Sequence, residues 1–81
     1  MAESRSSPRK RTLLGGRIEF KNRSFTVECV VKDISETGAR LLLTGTTEIP
    51  AEFDLWIPER NQRYRAQVVW RKASLVGVRF I

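Results

Sequence analysis

Two short groups of residues stand out for what their side chains can bind. One is Arg5-Ser6-Ser7-Pro8-Arg9, with two guanidinium groups four positions apart. The other is Asp33-Ile34-Ser35-Glu36-Thr37-Gly38. A guanidinium presents paired planar donors that fit a phosphate or the O6 and N7 acceptors of guanine, and it stacks on bases. Asp33 is an acceptor-only carboxylate, and Ser35 can donate or accept. A carboxylate on an otherwise basic surface does not suit a binder of phosphate alone. It does suit guanine, whose Watson–Crick edge carries N–H donors. Guanine plus phosphate would use all four side chains, making arm and turn one site for a small anionic ligand. Asp-x-Ser is equally an ordinary turn cap, and Gly38 is the residue type that permits positive φ or a close approach.

Other chemistries are excluded by composition. The chain has no His, so His-dependent triads, general bases and metal sites cannot be built. One Cys without His makes no zinc centre, and no Gly-rich phosphate loop is present. The acidic residues are scattered along the chain and read as a solvated outer face. No catalytic residue, metal or cofactor is expected, and the protein is not expected to be an enzyme. Cys29, the single cysteine, reads as a small buried hydrophobe.

Charge points to an anionic partner. Fifteen Lys and Arg against nine Asp and Glu give +6, and eleven of those fifteen are Arg. Within residues 1–11, Arg5, Arg9, Lys10 and Arg11 against Glu3 give +3, half of the excess. Ser4, Ser6, Ser7 and Pro8 break any period there, so residues 1–14 read as a flexible basic arm. On an extended arm Arg5 and Arg9 stand up to about 13 Å apart and can grip different parts of one ligand.

The elements that must position these residues are strands. At 81 residues the chain allows one domain. After Gly15-Gly16, apolar residues alternate along 17–21, 25–31, 39–44, 53–57, 64–71 and 75–81. Phe25, Val27, Cys29 and Val31 form one inward set. Ala39, Leu41 and Leu43 form a second, and Phe53, Leu55 and Ile57 a third. Ala66, Val68 and Trp70 are expected to follow, then Val76, Val78 and Phe80, with Gly77 pointing out. Six short strands at regular spacing predict an all-β protein, a small six-stranded antiparallel β-barrel over residues 15–81 with the arm in front. No run approaches a membrane span, and no apolar stretch follows the basic start, so a soluble cytoplasmic protein is expected.

Arg5-x-x-x-Arg9, Asp33-x-Ser35-x-x-Gly38, a terminal Val-Val-Trp-Arg and Gly77-Val-Arg-Phe resemble the PilZ domain family of bacterial cyclic di-GMP receptors across essentially the whole chain. The resemblance implies second-messenger signalling without catalysis. It implies that Arg5 and Arg9 hold phosphates and the Hoogsteen edges of guanines. Asp33 would then accept from guanine N1–H and N2–H, Ser35 would bond a phosphate or base, and Gly38 would keep the rim clear. Lys10 and Arg11 would either add long-range attraction or form an ordinary solvated charge run, and Trp70 is either a flanking base contact or a core residue. Many members carry adjacent arginines at the start of the arm motif, where this chain has Ser4, and many continue into a helix after the barrel. Whether one or two ligand molecules are held stays open. The expected partners are cyclic di-GMP and a downstream protein. Rival readings are a ligand-independent adaptor barrel and a basic barrel for single-stranded nucleic acid. The second would need exposed aromatics, whereas most of the seven here fall on the inward register.

Overall fold

The computed structural model describes residues 10–22, 24–45 and 48–81, and for 10–12 the backbone alone. Its strands are β1 (Lys10–Phe20), β2 (Phe25–Ile34), β3 (Gly38–Leu43), β4 (Glu52–Ile57), β5 (Gln62–Lys72) and β6 (Leu75–Phe80), with one 3-10 turn at Pro58–Arg60. They close into a barrel in the order β1-β2-β3-β6-β5-β4, every pair antiparallel, with β1 and β4 joined over Arg17, Ile18 and Glu19. The all-β barrel expected from the alternation is the fold observed.

Period-two alternation builds the core. Ile18, Val31, Leu41, Phe53, Leu55, Ile57, Ala66 and Val76 are fully buried, joined by Cys29, Leu43 and Val78. Each large side chain of this set contributes about 1.5–3 kcal/mol through burial. Burial, and secondarily Glu28, pushes the Cys29 thiol from 9.0 up to about 12, so it stays neutral and behaves as the apolar residue it was read to be.

Three expectations are corrected. β1 begins at Lys10 rather than Arg17, so Lys10, Arg11 and Leu14 of the expected arm pair with β2 and Gly15-Gly16 lie inside a strand. Phe25 keeps the inward register, paired with Phe20 two residues before Val27, but it is not buried: at the β1–β2 hairpin it lies past the core, 53% exposed, with its ring stacked on Phe20 at 5.7 Å. Glu19 is not solvated. It lies on the outer face but is buried, because Arg63 reaches across from β5 to bond Glu19 Oε1 at 3.1 Å. The same guanidinium rests on the Trp56 ring at 4.7 Å.

Removing Arg63 therefore takes away both an ion pair and a ring contact. Arg63→Ala is expected to lower stability by about 1–2 kcal/mol, less than for a fully buried pair because Arg63 is partly exposed. Urea unfolding checks this, and Arg63→Lys should recover only part of the loss.

Candidate functional site

Asp33, Ser35 and Gly38 sit where β2 turns into β3, and two irregularities in the ladder decide how they are presented. Val31 pairs with Leu41, both in the core, but the next pair is Asp33 with Arg40, so β2 carries one extra residue, Lys32. This β-bulge moves Asp33 off the inward register of Cys29 and Val31 and onto the outer face beside Arg40. Ile34 then pairs with Ala39 and points into the core. Strict alternation would have driven a carboxylate into the barrel. On the other side, the β1 register shifts between Arg11, which faces Asp33, and Leu14, which faces Val31. Leu13, inside that shift, has φ 49, an uncommon conformation for a branched residue.

Although it lies on the outer face, Asp33 is only 6% exposed. Arg40 covers it, with Nε donating to Asp33 Oδ2 at 2.8 Å and Nη2 also 2.8 Å from that oxygen. Two residues on, Ser35 closes the turn. Its backbone N–H donates to the Gly38 carbonyl at 2.8 Å, and its Oγ accepts from the Thr37 N–H at 3.2 Å. The Thr37 carbonyl in turn accepts from Phe80 N–H at 2.8 Å, which ties the turn to β6. Gly38 is buried against that strand: a Cβ there would meet the Val78 carbonyl oxygen at 2.3 Å. Within the protein, β6 is what requires glycine.

Trp70 is not a core residue. Val68 pairs with Val78, but the next pair is Trp70 with Gly77, so Val69 is an extra residue in β5. The bulge turns Trp70 outward and leaves it 42% exposed, overturning the inward position that alternation from Ala66 and Val68 predicts. Its indole lies across Gly77, where a Cβ would be 2.2 Å from Trp70 Nε1. A groove of about 450 Å³ results, lined by Gly38, Arg40, Trp70, Gly77 and Arg79 among others. Two guanidinium groups, an indole and the motif glycine thus share one concavity, and Asp33 is joined to it through Arg40.

A larger hollow, about 700 Å³, opens near the β1–β2 hairpin, but Glu19, Glu48, Glu52 and Asp54 line it against only Lys21 and Arg65. Its chemistry repels an anion, and none of Asp33, Ser35, Gly38 and Trp70 lines it. Arg5 and Arg9 lie outside the described residues, as does the Lys10 side chain, while the Lys10 backbone pairs with Ile34. Arg40 and Arg79 were not singled out from sequence. Arg40 alternates outward between Ala39 and Leu41, two residues past the motif glycine, and that placement was the available signal.

No curated protein matches the sequence. The family model for the PilZ domain matches residues 3–81, which include both the Arg5-x-x-x-Arg9 and the Asp33-x-Ser35-x-x-Gly38 groups. With nearly the whole chain matched, the barrel described above and its β2–β3 turn are those of a member of the PilZ domain family, a family of cyclic di-GMP-binding proteins.

Proposed function

We propose that the chain is a non-enzymatic receptor for cyclic di-GMP, and that ligand binding draws the N-terminal arm across the barrel rim. The observation that carries this reading is the β1–β2 register. Lys10 pairs with Ile34 and Arg11 with Asp33, so the chain enters the barrel directly beside the Asp-x-Ser turn. Arg9 is one peptide bond before Lys10, and Arg5 is within about 18 Å of extended chain from it. Both arginines can therefore reach a ligand seated over Asp33 and Ser35.

The roles follow from the chemistry of the groups. Asp33 accepts from guanine N1–H and N2–H, and Ser35 bonds a phosphate or base. Arg5 and Arg9 pair with phosphates and with guanine O6 and N7. Gly38 belongs to the wall of the groove, and the exposed Trp70 indole offers a flat face on which a base can stack. Lys10 strengthens attraction of the dianion at range. Neutralised by the ligand, the arm and the rim together make a surface that a downstream protein reads, in the cytoplasm where the nucleotide acts. None of the described helical residues forms a helix long and apolar enough to cross a membrane.

Calorimetric titration tests the reading, with cyclic di-GMP beside GTP, cyclic GMP and a short oligonucleotide. Saturable binding of the cyclic dinucleotide alone is expected, with its stoichiometry read from the same curve. Arg9→Ala and Asp33→Ala are each expected to weaken it by about 100-fold or more, the effect of removing a charged hydrogen-bonding partner from a desolvated contact. No heat with any nucleotide would leave a ligand-independent adaptor. Salt-dependent binding of the oligonucleotide would instead favour a nucleic-acid barrel. Order parameters from NMR test the arm: one already rigid without ligand would rule out ordering as the signal.

A further inference from the structure

We propose that Arg40 is the positioning residue that makes Asp33 selective for guanine. The inference rests on the receptor reading above and concerns a side chain outside both sequence motifs.

Arg40 directs Nε and Nη2 at a single oxygen, Asp33 Oδ2, each at 2.8 Å. A planar guanidinium gripping one carboxylate oxygen through two N–H groups sets the rotation of the carboxylate about its Cβ–Cγ bond. Left alone, that torsion is broad and roughly two-fold. Burial adds to the constraint, since the Asp33 side chain is 8% exposed and that of Arg40 39%, so the pair is shielded on the Asp33 side. The bulge at Lys32 makes the pair possible by placing both residues on one face.

Orientation matters because of what Asp33 must distinguish. Guanine offers two neighbouring donors, N1–H and N2–H, and a carboxylate held in the plane of the base accepts both. Adenine presents an N1 lone pair at the corresponding place, and an ionised carboxylate repels it. A carboxylate free to rotate satisfies the first arrangement less well and avoids the second more easily. Arg40 thus acts on discrimination through Asp33, rather than through a hydrogen bond of its own to the base. Lysine cannot substitute fully, because an ammonium is a point charge without the planar fork.

The test compares cyclic di-GMP with cyclic di-AMP on the full chain and on Arg40→Ala, Arg40→Lys, Asp33→Asn and the Asp33→Asn/Arg40→Ala double variant. Circular dichroism establishes that each is folded. The expected result is that Arg40→Ala weakens cyclic di-GMP binding about 10-fold, the loss that goes with a disrupted charge-assisted hydrogen bond. The preference over cyclic di-AMP should fall with it, and Arg40→Lys should lie between. In the Asp33→Asn background, Arg40→Ala should add little, because both changes act on the same contact. The proposal is overturned if a folded Arg40→Lys or Arg40→Ala keeps the parent's preference. It is also overturned if Arg40→Ala costs as much with Asn at position 33 as with Asp, which would make Arg40 a direct contact. A parent chain that binds both dinucleotides equally removes the selectivity but leaves the receptor reading standing. One that binds neither removes both.

Discussion

Replacing Phe53 by alanine is expected to cost about 3–5 kcal/mol, the range for removing a fully buried aromatic. An 81-residue domain has a total margin of only about 4–12 kcal/mol, so this one change consumes much of it. Phe53 is completely buried and faces Ala66 across the β4–β5 ladder, itself completely buried. A large side chain over a small one fills the barrel there. Two alanines facing each other leave a void that a closed ring of six paired strands cannot collapse around. Thermal unfolding should show the midpoint falling by about 12–40 °C, using about 4–8 °C per kcal/mol for a domain of this size. Trp70→Ala is the informative comparison. Were Trp70 a core residue, its loss would match that of Phe53. On the outer face, 42% exposed, it should cost about 1 kcal/mol.

That comparison marks where the sequence is legible and where it stops being so. Ala39, Leu41, Leu43, Phe53, Leu55 and Ile57 lie inside as alternation predicts, because β3 and β4 themselves carry no extra residue and the bulges fall in their partner strands. Alternation fails wherever a strand carries an extra residue. Val69 turns Trp70 out, and Lys32 turns Asp33 out and Ile34 in. Nothing in a Val-Val-Trp or Val-Lys-Asp run distinguishes a bulge from a continuous strand. The surplus residue is defined by the partner strand, which is distant in sequence. Both bulges flank the candidate site, so the failures fall where backbone irregularity aims side chains at a groove. Motif spacing sufficed to group Asp33, Ser35 and Gly38, since they lie within six residues at the β2–β3 connection. It could not show Arg40, which joins Asp33 only across the ladder. Glu19 escaped for the same reason: Arg63, its partner, is 44 residues away.

Gly38→Val is expected to disrupt the rim itself, at about 3 kcal/mol, the upper part of the range for forcing atoms into packed structure. The Cβ would lie 2.3 Å from the Val78 carbonyl oxygen and 3.2 Å from Arg79 Cα. Both obstacles are backbone, so no rotamer relieves them. Either β6 moves away from β3 or the turn does. Gly38 pairs directly with Arg79, and the Phe80 N–H donates to the Thr37 carbonyl at 2.8 Å, so movement of either strand loosens the tie between turn and barrel. Ser35 is displaced with it, because its N–H donates to the Gly38 carbonyl at 2.8 Å. The variant should therefore unfold at a lower temperature and, where still folded, lose cyclic di-GMP binding by about 100-fold, through two misplaced polar contacts. Gly15→Ala supplies the control. Among the described residues nothing lies within 4 Å of a Cβ there, so stability should change by no more than about 0.5 kcal/mol and binding should persist. If Gly38→Val kept full stability, β6 would have to yield by an ångström without cost, and the rim would be softer than its paired backbone implies. If it lost stability yet bound normally, the Ser35 turn would not be part of the ligand site. The two measurements together separate the glycine's role in closing the barrel from its role in presenting the turn.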